Sequence, residues 1–179
     1  MNSRKFCSNY TKQFINSSYN VFTFFIQHIF TGYINRVIKV EKGGENGRNL
    51  YEIRHAAAEN SVMMERKVFE DADFIVTAGD YNALMKKVND NLVKAMNFTA
   101  NDTEKSMLEE YIKSFKEGSL DAHKNGSRHW IKNKGPTVET YIGFIETYRD
   151  PVGMRGEFEG FVAMVNKEQS AKFQELVNR

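Results

Sequence analysis

The 179 residues carry 25 Lys and Arg against 23 Asp and Glu, a formal charge of +2, with 41% hydrophobic and 27% charged residues. That composition suits one soluble globular domain with its own core and excludes collagen-like, low-complexity and membrane-spanning classes. The two signs of charge are interspersed, which excludes the clustered basic face of a nucleic-acid binder, and the single cysteine, Cys7, excludes an intramolecular disulfide and suits a reducing compartment.

Residues 1–32 are rich in Asn, Ser, Phe and Tyr and contain the apolar run Val21-Phe-Thr-Phe-Phe-Ile26. Arg4 and Lys5 precede it as they would in a signal peptide, yet the run is short, is broken by Gln27 and His28, and lacks a small-x-small cleavage site. A transmembrane helix needs ~20 apolar residues, and no such stretch exists. The segment reads as divergent, either disordered or a gene-model artefact.

From Tyr33 the pattern becomes regular. Residues 34–40 and 50–54 are β-rich runs separated by Gly43, Gly44 and Gly47, which predicts a hairpin with a loop. Residues 59–73 are polar, and residues 74–77 form a short strand or the start of a helix. Asp80 is a candidate N-cap for an amphipathic helix whose apolar stripe is Tyr81, Leu84, Met85, Val88, Leu92 and Met96. A second helix starts near Asp102 or Thr103, with Met107, Leu108, Tyr111, Ile112 and Phe115 on one face and Glu104 and Glu109 or Glu110 toward solvent. Gly118 and Ser119 interrupt it, and residues 120–132 form a third helix carrying His123, His129 and Trp130.

Lys134-Gly-Pro136 ends the helical region, because proline lacks a backbone donor and restricts the residue before it. Two strands follow, at residues 138–148 and 157–165, joined by Arg149-Asp-Pro-Val-Gly153, whose Asp, Pro and Gly are turn residues. Residues 167–177 form a last amphipathic helix, and the absence of a glycine stop at Arg179 suggests truncation.

Side chains alternate across a strand, so residues 138–145 divide into two rows. Val138, Thr140, Ile142 and Phe144 form an apolar row; Glu139, Tyr141, Gly143 and Ile145 form the other. The second row sets a carboxylate beside a phenol, then a glycine that permits close backbone approach. An extended peptide along it could have its ammonium held by Glu139 and a carbonyl contacted by the Tyr141 hydroxyl. The pattern alone favours the plainer reading, in which Glu139 faces solvent and Tyr141 lies half-buried as packing.

Other candidates are weaker. His123 and His129 are six apart, which does not align two imidazoles on one helical face, so they read as one surface histidine and one packing beside Trp130. Glu157 and Glu159 share a strand face like a glycosidase carboxylate pair, a pattern more usual for solvated acids. None of His28, His55, His123 and His129 is followed by glutamate, so no His-Glu-x-x-His is present, nor any Gly-x-Ser-x-Gly, Walker loop or Cys-x-x-Cys.

The stretch Lys134-Gly-Pro-Thr-Val-Glu139-Thr-Tyr141-Ile-Gly143-Phe-Ile-Glu-Thr-Tyr-Arg149-Asp-Pro-Val-Gly153-Met-Arg-Gly-Glu157-Phe-Glu159-Gly-Phe-Val-Ala-Met-Val-Asn-Lys167 closely resembles the signature of the dipeptidyl peptidase III family. Gly118-Ser-Leu-Asp-Ala-His-Lys-Asn-Gly-Ser-Arg-His-Trp130 resembles it too, and a looser likeness runs back to about Tyr33. The resemblance implies an α+β piece of a two-lobed cytosolic zinc exopeptidase that removes dipeptides from short peptides with a free N-terminus. Residues 33–160 would belong to the lower lobe, with its mixed β-core, and residues 161–179 would lead into the helical upper lobe.

By the same resemblance, Tyr141 is the catalytic tyrosine at the scissile carbonyl, Glu139 binds the substrate ammonium, and Gly143 lies at the substrate strand. The family's His-Glu-Leu-Leu-Gly-His and Glu-Glu-Cys-Arg motifs are absent, so no zinc ligand is assigned here. The implied chain is a monomer that binds neither nucleic acid nor membrane and is inactive alone. The rival expectation is a non-catalytic peptide-binding protein that keeps only the β-edge.

Overall fold

The computed structural model describes residues 35–40, 43–146 and 156–179. The expectations on Cys7, on the apolar run at residues 21–26 and on the turn at residues 149–153 fall outside them. The fold class is α+β, as the sequence predicts: a four-stranded mixed sheet, a helical layer, and a separate two-stranded sheet.

Strand β1 (Asn35–Val40) pairs antiparallel with β2 (Asn49–Ala56), with Val40 facing Leu50 and Asn35 facing His55, so the predicted hairpin forms. A 3-10 turn at Glu45–Gly47 closes its loop. That loop is tied to the buried Asp73, whose carboxylate accepts the Glu45 backbone N–H at 2.8 Å and the Arg48 Nε–H at 2.8 Å. Chiefly that backbone bond, with Arg48 and Arg66 beside it, holds the Asp73 carboxyl below the usual carboxylate range.

The polar stretch at residues 59–73 is not a loop. Most of it is β3 (Ser61–Phe69), an edge strand antiparallel to β4 (Ala72–Asp80), and β4 runs parallel to β2, giving the order β1-β2-β4-β3. Residues 74–77 are therefore the middle of a strand and not the start of a helix. Asp80 is likewise not a helix cap. It ends β4, and its carboxylate takes a two-pronged bond from Arg36 at 2.5 and 2.6 Å, a stronger use of the charge than a cap. Helix α1 (Asn82–Ala95) instead starts behind Tyr81, which is left-handed at φ 55° and offers no side-chain cap.

Helix α2 (Asp102–Glu117) is capped by Asn101, whose side chain accepts the Glu104 N–H at 2.8 Å, while the Glu104 carboxylate reaches back to the Ala100 N–H at 2.5 Å. This reciprocal box buries Glu104, which the helical spacing alone had turned toward solvent; Glu109 is exposed as expected and Glu110 is half-buried. Gly118 closes α2 at φ 74°, and Ser119 then caps α3 (Leu120–Lys132) by accepting the Ala122 N–H. Met85, Phe115, Phe144 and Ala56 form one core, and Met107, Leu108 and Tyr111 a second, with Leu92 and Ile142 touching both.

The sheet meets the helices at one joint. The Ala58 and Glu59 N–H groups donate to the Phe115 and Lys116 carbonyls, satisfying acceptors that a helix C-terminus leaves open. Alongside, the buried His55 ring sits against Gly118, where an added Cβ would come within 2.7 Å of the imidazole. Gly118 thus answers both a positive φ and a close approach.

Strand β5 (Val138–Glu146) pairs antiparallel with β6 (Glu157–Met164), Glu139 facing Ala163 and Gly143 facing Glu159. Helix α4 (Lys167–Val177), capped by Asn166, follows β6 and buries no residue; its Phe173, Leu176 and Val177 are all exposed.

Candidate functional site at the α3–β5 seam

Helix α3 presents His123, Ser127 and Trp130 on one face, at the four- and three-residue steps that stack side chains along a helix. These turns advance roughly 5 Å each, close to the ~6.6 Å between alternate strand residues, so a helix face can match a strand row residue for residue. The match runs antiparallel. Trp130 meets Glu139, its indole Nε1–H donating to Oε1 at 2.6 Å. The Trp130 and Tyr141 rings lie 5.0 Å apart, and Ser127 Oγ is 3.4 Å from the Tyr141 hydroxyl. His123 lies 6.1 Å from the Tyr141 ring and fills the space over Gly143, where a Cβ would come within 2.7 Å of the imidazole.

Of the sequence-predicted site residues, Glu139 and Tyr141 therefore stand side by side as the row parity requires. Tyr141 is half-buried, and among the described residues the Glu139 carboxylate takes its hydrogen bond through Oε1. Gly143 is buried under His123, so on this face its missing side chain makes room for an imidazole and not for a substrate backbone. His123 is thus the packed histidine, with Tyr141 as its ring neighbour, and its burial lowers its pKa and favours the neutral imidazole. His129 remains half-exposed. Glu157 is half-buried and Glu159 exposed at the start of β6, and among the described residues they belong to no group of three metal-ligating side chains.

Trp130 and Ser127 were not singled out from the sequence as partners of the Glu139 row. Their signal was legible: with His123 they complete an i, i+4, i+7 stripe that is too polar to be a plain core face. A groove of about 500 Å³ opens beside Tyr141, walled by His123, Lys124, Ser127 and Arg128 of α3 and by Phe144 and Ile145 of β5. Among the described residues β5 pairs with β6 on one edge and with no strand on the other.

The profile of Peptidase family M49 matches residues 1–179. The chain belongs to peptidase family M49. Among its relatives, Dipeptidyl peptidase 3 of Mus musculus is 49% identical over 156 residues, covering 82% of this chain and 21% of the relative. Dipeptidyl peptidase 3 of Homo sapiens gives the same 49% over 156 residues with the same coverage. That of Nematostella vectensis is 61% identical over 103 residues, covering 58% of this chain and 14% of the relative. This M49 chain spans about a fifth of the length of the mouse and human proteins.

M49 peptidases are zinc enzymes, but the described residues of this chain do not suit zinc. No three His, Cys, Asp or Glu side chains among them converge on one point. His123 is packed on Gly143, and His55 Nε2 is bonded to the Gly118 carbonyl at 3.0 Å. The seam offers a carboxylate, a phenol and an indole, none of them gathered into a metal-ligating group.

Proposed function

We propose that this chain supplies the part of a zinc-dependent dipeptidyl peptidase cleft that holds the free N-terminus of a short peptide. The supporting observation is the Glu139 carboxylate, fixed by the Trp130 N–H at 2.6 Å beside the Tyr141 hydroxyl on one row of β5. Because Trp130 occupies Oε1, the carboxylate is held in one orientation with Oε2 left to accept from a substrate ammonium. Tyr141 stands one strand repeat further, at the distance where an extended peptide places a backbone carbonyl. Its hydroxyl donates to that carbonyl oxygen. The edge of β5 that pairs with no strand among the described residues suits addition of the peptide as a further strand, which aligns main-chain groups and sets the register. The fixed ammonium and the fixed spacing together select the bond after the second residue. Zinc in such an enzyme is held by residues other than these.

Calorimetric titration of the chain tests this reading. A tetrapeptide with a free N-terminus should bind, its N-acetylated form should bind at least tenfold more weakly, and Glu139→Gln should abolish the difference, since a charge-assisted bond is worth roughly 1.5–3 kcal/mol. Equal binding of the two peptides would remove the amine-anchor role.

The purified chain is also expected to hold no stoichiometric zinc and to release no dipeptide from an arylamide substrate, because a structural or catalytic zinc needs three or four converging ligands. One tightly held zinc per chain, with chelator-sensitive hydrolysis, would overturn that expectation.

A further inference from the structure

Tyr111 of α2 is fully buried, yet its hydroxyl has no hydrogen-bond partner among the described residues. A buried donor of this kind normally finds one, because leaving it unpaired is costly. The ring is firmly placed. It lies against Gly126 of α3, where a Cβ would come within 2.7 Å of the ring carbons, and it clusters with Met107 and Leu108 while Tyr141 and Ile142 pack over the group. Gly126 thus lets α3 close directly over the Tyr111 ring, in the cluster on which Tyr141 packs. Burial first, and then the nearness of Tyr141 and Glu139, raise the pKa of Tyr111, so it stays a proton donor.

Tyr141 has the complementary need. Ser127 Oγ–H donates to the His123 carbonyl at 3.1 Å, so in its 3.4 Å contact with Tyr141 the serine accepts and Tyr141 donates. The lone pairs of the Tyr141 oxygen are left for a donor. We propose that Tyr111 is a positioning residue of the peptide site, its hydroxyl donating to the Tyr141 oxygen once a peptide carbonyl draws the Tyr141 proton away from Ser127. The resulting line, Tyr111 to Tyr141 to carbonyl, polarises in one direction, and each bond strengthens the next. This inference rests on the reading that Tyr141 contacts a peptide carbonyl.

Calorimetric titration of the whole chain with two ligands separates the possibilities. One is a tetrapeptide with a free N-terminus; the other carries an alkene in place of its second peptide bond, which keeps the ammonium and removes the carbonyl. Tyr111→Phe should weaken the parent peptide about fivefold, in line with loss of one hydrogen bond, and leave the alkene analogue within twofold. In the Tyr141→Phe background, Tyr111→Phe should cost nothing more. Equal losses for both ligands would make Tyr111 a packing residue, and no loss for either would also overturn the proposal. If the wild-type chain binds parent and analogue alike, the Tyr141–carbonyl contact itself is wrong and this inference falls with it. If the wild type discriminates and Tyr111→Phe does so equally well, only the role of Tyr111 fails.

Discussion

Replacing Tyr141 by Phe in a complete enzyme that carries this segment is expected to lower kcat by roughly 10²- to 10³-fold while raising KM only about fivefold. The Tyr141 ring packs against Trp130 and His123 while its hydroxyl lies 3.4 Å from Ser127 Oγ, and the substitution deletes one oxygen while leaving the ring contacts at 5.0 Å and 6.1 Å in place. The bond to the carbonyl oxygen is one ordinary hydrogen bond in the bound peptide and strengthens as charge develops there in the transition state, so its loss falls mainly on kcat. Glu139→Gln should divide differently. Its carboxylate meets the ammonium in both states, so its loss should appear in KM, and it should matter little for a substrate whose amine is already blocked. Steady-state kinetics on both variants decide the matter. A Tyr141→Phe enzyme with normal kcat would reduce the tyrosine to packing.

Stability is expected to fall as the pH drops from about 6.5 toward 4, with His55 the main cause. The ring is 4% exposed, and burial pulls its pKa down to about 4, partly opposed by the bond to the Gly118 carbonyl. Nε2 faces a carbonyl and therefore carries the proton of the neutral ring. Above pH 6.5 neither folded nor unfolded His55 is charged, and the group is neutral to stability. Between 6.5 and 4 the unfolded chain binds a proton that the folded chain refuses. The folded state therefore loses up to about 3 kcal/mol over that window. His123, also lowered by burial, acts in the same direction. Glu52 and Asp73 have lowered carboxylate pKa values, so their contributions disappear only at more acidic pH. Because His55 sits at the joint where β2 and the Ala58 and Glu59 amides meet the end of α2, charging it should separate sheet from helices. Denaturant midpoints measured from pH 7.5 to 4.5 should slope steeply in the wild type and much less in His55→Gln. Parallel slopes would show that another group governs the transition.

Much of this architecture could be read from the chain, because its signals are local. Helices α2, α3 and α4 follow from apolar spacing, from caps at Asn101, Ser119 and Asn166, and from Gly118, all acting within a few residues of one another. The β1–β2 hairpin follows from two β-rich runs around glycines, and the pairing of Glu139 with Tyr141 follows from the two-residue period of a strand. Strand β3 escaped because it is an edge strand exposed along most of its length, so no buried face imposed alternation on Glu65, Arg66 and Lys67.

What only the tertiary structure decided are the contacts between elements distant in sequence. Asp80 reads as a cap until β1 brings Arg36, 44 positions away, within reach of it. Glu139 reads as a solvated acid, and Gly143 as an open approach, until α3 lays Trp130 on one and His123 on the other. Tyr111 reads as core until α3 closes over its ring at Gly126 and leaves its hydroxyl without a partner among the described residues. Periodicity and capping are enforced by backbone hydrogen bonds a few residues long and so are written in the local sequence. The partners of a buried charge or hydroxyl depend on which faces the packed elements turn toward each other, and that is settled only when the chain folds.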